Sequence, residues 1–241
     1  MMFFRSLLIL ILGFVLGYAA PSYSVDLAER QSASLALSSA GILQYLVMTA
    51  TPPRWVEACG GTFIAKDRVL TAAHCIIFKD FTFRIQDAYG GTMIVEKILD
   101  DKPRDLAILV LKTPSGRARV ADLGLDVAPG DTVLTVGTPR GYVFMMTRGM
   151  VARIIKTNFE NCDKNDDVGT REQQILITDI QTAFGSSGGG YFNRDGQLVG
   201  VHVRSDYAAM DCTDNYWGQE QLWGFGVGPE AVQEFLREKN K

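Results

Sequence analysis

The stretch Cys59-Gly-Gly-Thr-Phe-Ile-Ala-Lys-Asp-Arg-Val-Leu-Thr-Ala-Ala-His74-Cys75 sets two short β-prone runs, Thr62–Ile64 and Arg68–Thr71, either side of a polar turn. Its last residue but one, His74, is one of the chain's two histidines. Working outward, runs rich in β-branched and aromatic residues recur at Ile42–Met48, Phe81–Gln86, Thr92–Leu99 and Leu106–Leu111. After a Pro-, Gly- and Asp-containing connector, Thr113–Asp131, they resume at Thr132–Val136, Met146–Ile155, Ile175–Thr178, Gly190–Phe192, Leu198–Arg204 and Leu222–Val227. Short strands at regular spacing between turn residues indicate an all-β barrel or sandwich. Six runs before the connector and six after it predict two similar antiparallel barrels. The one persuasive helix is the last, where Gly228-Pro229 opens a run with Ala231, Val232, Phe235 and Leu236 on one face. Asp26–Ala40 is Ser/Ala-rich and reads as a linker or pro-segment.

Composition agrees with a folded chain: of 241 residues, 47% are hydrophobic and 21% charged, which excludes the apolar-poor, highly charged composition of disordered chains. The first residues read as a targeting signal. Arg5 precedes an almost unbroken apolar run to Tyr18, followed by small residues and Pro21, the pattern of a secretory leader. The run is short of the roughly 20 residues a membrane span needs. Small residues allow cleavage after Ala19 or Ser24, and we favour Ser24. We therefore expect a secreted or periplasmic protein with no stable membrane insertion after cleavage. The formal net charge is -3, and removing the leader takes away one Arg and no acid. A nucleic-acid partner held by phosphate neutralisation is disfavoured. Export places Cys59, Cys75, Cys162 and Cys212 in an oxidising compartment, where an even count reads as two disulfides. Their spacing permits three pairings and does not match a zinc site. Asp163–Gln174 imitates a calcium loop, but its glycine is one place late and its twelfth residue is Gln174, so a solvated acidic loop is the better reading. We expect no metal and no cofactor.

The chemistry lies in three segments: Cys59–Cys75 with His74, Asp105-Leu-Ala-Ile-Leu-Val-Leu, and Thr178-Asp-Ile-Gln-Thr-Ala-Phe-Gly185-Ser-Ser187-Gly-Gly-Gly190. A serine hydroxyl is a weak nucleophile and needs a base, which His74 supplies. A carboxylate fixes the tautomer of that base; Asp105, at the start of an apolar strand, is favoured over nearby Asp100 and Asp101. The glycines around Ser187 allow a sharp turn that aims the amides of Gly185 and Ser187 at an oxyanion. Alone, Gly-Ser-Ser-Gly-Gly-Gly reads as a flexible linker, but here a strand precedes it and another follows.

The order His, Asp, Ser and the motifs around each resemble the trypsin/chymotrypsin superfamily of serine peptidases, over about residues 42–235. The Cys59–Cys75 segment is similar to animal and secreted bacterial trypsins. Val136-Gly-Thr-Pro-Arg-Gly141 through Thr147-Arg-Gly149-Met-Val and the Thr178–Gly189 segment are more similar to the HtrA-type branch. The resemblance implies two six-stranded antiparallel β-barrels of chymotrypsin type with a C-terminal α-helix and the site between the barrels. The expected organisation is a leader over 1–24, a linker or pro-segment over 25–41, a peptidase domain over 42–228 and a helix over 229–241. Within the peptidase domain the barrels span about 42–118 and 128–228. The resemblance further implies endopeptidase activity on protein or peptide substrates and a Cys59–Cys75 disulfide, which leaves Cys162 with Cys212.

Specificity is read from His202, fifteen residues after Ser187, on the strand that in this superfamily lines the primary pocket. With Thr182 and Ser205 it resembles glutamyl endopeptidases and picornavirus processing proteases, implying cleavage after Glu or Gln. Gln181 stands where trypsins carry an aspartate, which disfavours Arg and Lys. Val203 and Arg204 complete the expected substrate-binding set. Three features depart from the family patterns. Ser186 replaces the aspartate that pairs with a new N-terminus in trypsins, Gly190 replaces a proline, and the chain ends at Lys241 without room for an HtrA-type peptide-binding domain, so control by such a domain is not expected. Two other readings accompany the main one: an HtrA-like quality-control protease or chaperone with small apolar preference, and an inactive peptidase-fold binding module.

Overall fold

A computed structural model describes residues 27–76, 81–158, 169–207 and 221–239. The leader, residues 163–168 of the acidic 163–174 loop, and both Cys162 and Cys212 lie outside these residues.

Twelve strands form two closed antiparallel barrels. The first is built from β1 (Ala40–Val47), β2 (Arg54–Ala65), β3 (Arg68–Thr71), β4 (Phe83–Asp87), β5 (Thr92–Asp101) and β6 (Leu106–Leu111), in the order β1-β2-β3-β6-β5-β4. Pairing of β1 with β4, Leu43 opposite Ile85, closes it. The second comprises β7 (Thr132–Gly137), β8 (Met145–Thr157), β9 (Gln173–Thr178), β10 (Gly190–Phe192), β11 (Leu198–Tyr207) and β12 (Gln221–Val227), in the order β10-β11-β12-β9-β8-β7. Tyr191 opposite Thr135 closes that one. Closure leaves neither sheet an unpaired edge. All twelve β-prone runs of the sequence fall on these strands, and both six-stranded barrels are as the sequence implies.

Among the described residues two helices flank the barrels. Helix α2 (Pro229–Lys239) follows the last strand and buries Ala231, Val232, Phe235 and Leu236, as its apolar spacing predicts. Helix α1 (Leu27–Ser39) is where the structure differs from the linker reading of Asp26–Ala40. Its buried face is Ser32, Ala36 and Ser39, so a helical period exists but no apolar stripe announces it. Polar contacts fasten it instead. Ser32 Oγ donates to the Asn193 carbonyl at 2.8 Å, and the Ser38 carbonyl accepts from Arg119 N–H at 2.8 Å.

The barrels meet through glycine backbones. Gly60 N–H donates to the Ser187 carbonyl at 2.7 Å, and a Cβ on Gly60 would stand 2.9 Å from Gly189 Cα. The paired glycines of the Cys59 segment and those after Ser187 are thus two faces of one close contact, which brings the His74 and Ser187 segments together.

Candidate active site

His74 sits in a short 3₁₀ turn, Ala73–Ile76, directly after β3. The Cys59–Cys75 disulfide staples that turn to β2, as the family segment implies. Asp105 follows a second 3₁₀ turn, Lys102–Arg104, and opens β6. Its backbone is left-handed, φ 56° and ψ 42°, a region where Asp is tolerated better than most residues at a cost of about 1 kcal/mol. That conformation swings a buried carboxylate onto the imidazole. Asp105 Oδ2 lies 2.8 Å from His74 Nδ1, and Oδ1 accepts from the His74 backbone N–H at 2.9 Å. An ionised carboxylate only accepts, so Nδ1 carries the hydrogen and Nε2 is left as the basic lone pair. The competing acid Asp101 is engaged elsewhere, capping the 102–104 turn and pairing with Arg104.

Ser187 lies in the turn between β9 and β10. Gly185 adopts φ +95°, and a Cβ there would meet the Thr138 carbonyl oxygen at 2.2 Å, so only glycine fits. No described backbone carbonyl accepts from the amides of Gly185 or Ser187, leaving both N–H groups available to an oxyanion. Ser186 is buried, and its Oγ accepts from Ala183 N–H at 3.1 Å while its own N–H donates to the Ala183 carbonyl at 2.9 Å. The turn therefore closes on itself, where a trypsin would use an aspartate and a new N-terminus. The absence of proline at Gly190 has a reason in packing: a Cβ there would lie 2.5 Å from Thr62 Oγ1 and 2.6 Å from Leu198 Cδ1.

His74 and Ser187 line one cleft of about 530 Å³ between the barrels, with Val203, Arg204 and Ser205 along one side. Tyr45, Glu57 and Phe83 of the first barrel and Phe184, 70% exposed, line it too. None of these four was singled out by the sequence. Two of the expected pocket residues sit behind the cleft rather than on it. His202 is 1% exposed and Thr182 8%, and Gln181 is exposed outside the lining. Both buried residues reach the cleft through Ser205: its Oγ is 2.6 Å from Thr182 Oγ1 and 3.2 Å from His202 Nε2. Residues three apart on a strand normally face opposite ways, but a register shift between His202 and Arg204 restores them to one side.

Behind His202 the chain of hydrogen bonds continues into the second barrel. Nδ1 lies 2.7 Å from the Tyr191 hydroxyl, which lies 3.3 Å from Thr178 Oγ1. Burial, and secondarily the charge of His74, pushes the His202 pKa from 6.5 down to about 3, so the ring is neutral and offers one donor and one acceptor. Burial pushes the Tyr191 phenol up, keeping it protonated. The only sequence cue for Tyr191 was an aromatic four residues past the serine, on the strand paired with the one that carries His202. Among the described residues no cluster of His, Cys, Asp or Glu could hold a metal.

A fold of paired barrels with a histidine, a buried aspartate and a serine around one inter-barrel cleft defines the class of chymotrypsin-like peptidases. Residues 59–201 match the trypsin-like peptidase domain, and the chain belongs to that family. It is 25% identical over 187 residues to serine protease HTRA1 of Xenopus tropicalis, covering 76% of this chain and 36% of the relative. Against a probable periplasmic serine protease do/HhoA-like of Haemophilus influenzae it is 29% identical over 141 residues, 58% of this chain and 28% of the relative. The chain spans about a third of the length of the curated relatives it matches. Among solved structures, the HtrA-type protease AlgW with a decapeptide superimposes with TM-score 0.68 at 17% identity, covering 87% of this chain and 66% of that one. Rv3671c of M. tuberculosis H37Rv, in an inactive mutant form, gives 0.65 at 20% identity over 88% and 91%.

Proposed function

We propose that the protein is an exported serine endopeptidase that hydrolyses peptide bonds through an acyl-enzyme, with His74, Asp105 and Ser187 as its triad. The observation that carries this is the bidentate hold of Asp105 on His74, through ring and backbone, in the cleft that Ser187 lines. In this reading His74 Nε2 takes the Ser187 proton as the hydroxyl attacks the carbonyl carbon, and returns it to the leaving amine as the C–N bond breaks. Water then repeats the sequence on the ester. The Gly185 and Ser187 amides stabilise the oxyanion of each tetrahedral intermediate, at roughly 3 kcal/mol per donor.

For the residue before the scissile bond we propose Glu or Gln. Ser205 is the group presented to it, with Thr182 and His202 holding the hydroxyl from behind. A carboxylate or amide there gains a charge-assisted or neutral hydrogen bond from the Ser205 hydroxyl that an apolar side chain cannot make, at about 1–3 kcal/mol. A second reading, small apolar preference as part of an HtrA-like quality-control role, is favoured by the depth of His202, which lies behind the cleft wall.

A matched peptide series varying only that residue separates the two. The first reading expects fastest cleavage after Glu or Gln, loss of that preference in Ser205→Ala, and no cleavage by Ser187→Ala. Equal or faster cleavage after Val, Ala, Phe or Arg contradicts it.

A further inference from the structure

The turn that delivers Asp105 belongs to the first barrel but is held by the second. Its three successive carbonyls each accept a hydrogen bond from across the interface. Lys102 accepts from Gly169 N–H at 2.8 Å, Pro103 from Arg171 N–H at 2.9 Å and Arg104 from Gln173 Nε2 at 3.0 Å. Two of these donors are backbone amides of the segment that leads into β9, and the third is the side chain of the first residue of that strand.

The Arg104 side chain completes the fastening. It is fully buried, with 1% exposure, yet carries a charge. Its guanidinium forks onto Glu238 of α2, Nη1 to Oε2 and Nη2 to Oε1, both at 2.8 Å. Nη2 also lies 3.2 Å from Glu234 Oε2, and Nη1 pairs with Asp101 on the near side. Burial opposes the charge, but the hydrogen bonds from Glu238, Asp101 and Glu234 outweigh it and raise the Arg104 pKa. Two further cations flank the carboxylates: Arg171 at 3.2 Å from Glu234, and Lys239, which donates to the Asp100 carbonyl at 3.0 Å. A buried arginine with a planar fork is a costly group to use as filler, and an apolar residue would pack the same space without three carboxylates.

We infer that Arg104 is a positioning residue for the triad: through it, α2 and the start of β9 fix the left-handed backbone of Asp105 and hence the carboxylate against His74. Ser187 stands on the second barrel and the His74–Asp105 pair on the first. A clasp between the barrels one residue from Asp105 sets the alignment of one half of the site to the other. This rests on the serine-peptidase reading above.

The test compares wild type, Arg104→Lys and the double variant Glu234→Gln/Glu238→Gln. The two glutamates are 46% and 44% exposed, and Gln keeps an oxygen that accepts from the guanidinium, so the double variant weakens the fork without opening the core, and a thermal melt of each variant reads any loss of stability separately. Labelling of wild-type Ser187 by a fluorophosphonate establishes the peptidase reading independently; its absence defeats that reading before the clasp is at issue. With labelling in hand, the double variant is expected to lower kcat at least tenfold with KM within twofold. Its labelling rate should fall in parallel. The acid limb of kcat/KM should also move to lower pH, because the imidazolium has lost part of its carboxylate partner. A double variant that melts earlier but keeps wild-type kcat and the wild-type acid limb shows a structural brace only and overturns the inference.

Discussion

In the first barrel Leu43, Phe63, Leu70, Ile85, Ile108 and Leu109 have no exposed surface and belong to one apolar cluster, whereas the second encloses the linked hydroxyls and imidazole of Thr178, Tyr191 and His202. The strand plans are alike. The difference lies in how each barrel serves the cleft. The first supplies His74 and Asp105 from two 3₁₀ turns at its rim, held by a disulfide, backbone hydrogen bonds and the Arg104 fork. The second supplies Ser187 from a glycine turn and runs a polar chain from its interior out to Ser205. Barrel one packs apolar side chains behind its turns, and barrel two carries a buried network that reaches the cleft lining at Ser205.

Substitutions at the turns of barrel one should hurt chemistry most. Asp105→Asn is expected to lower kcat by roughly 10⁴-fold with the fold intact, because His74 loses the acceptor that fixes its tautomer. Steady-state kinetics beside a thermal melt check it; a drop under tenfold would assign the orienting role to another group.

In stability the two interiors should part company. Phe63→Ala is expected to cost about 3–5 kcal/mol, as for other large-to-small changes in a packed core. Tyr191→Phe keeps the ring and removes one hydroxyl, leaving His202 Nδ1 unpaired, at about 1–3 kcal/mol. Urea unfolding of both measures the contrast. Tyr191→Phe should also weaken the preference for Glu or Gln, whereas Phe63→Ala should not.

The sequence made the barrels legible because closed antiparallel strands leave a period of two and frequent turns. It also marked His74, Asp105 and Ser187, which lie in short segments dense with glycine, alanine and cysteine. Helix α1 escaped because its buried face is Ser32, Ala36 and Ser39 and carries no apolar signal. Tyr191 and Arg104 escaped for a related reason: each matters through partners far off in the chain, Glu238 being 134 residues from Arg104. That Ser205 shares a side with His202 depends on a strand irregularity at Val203 that alternation does not foretell.

A further effect is expected from pH. His202 has a folded pKa of about 3 against an ordinary 6.5, so the unfolded chain binds the extra proton between those values. Its contribution to stability is complete above about pH 6.5 and declines as pH falls toward 3, by at most about 1.4 kcal/mol per unit. Chemical unfolding of wild type and His202→Gln between pH 7 and 4 should show a shallower slope for the variant. Parallel slopes would place the titrating proton on another residue.

In the proposed mechanism the two barrels bring an activated serine together with its base. The most direct test of this is intact-protein and peptide mass spectrometry after treatment with a fluorophosphonate. A single adduct is expected on the peptide carrying Ser187, absent in Ser187→Ala and formed far more slowly in His74→Ala. No adduct on the folded wild-type protein, or equal labelling of His74→Ala, would contradict it.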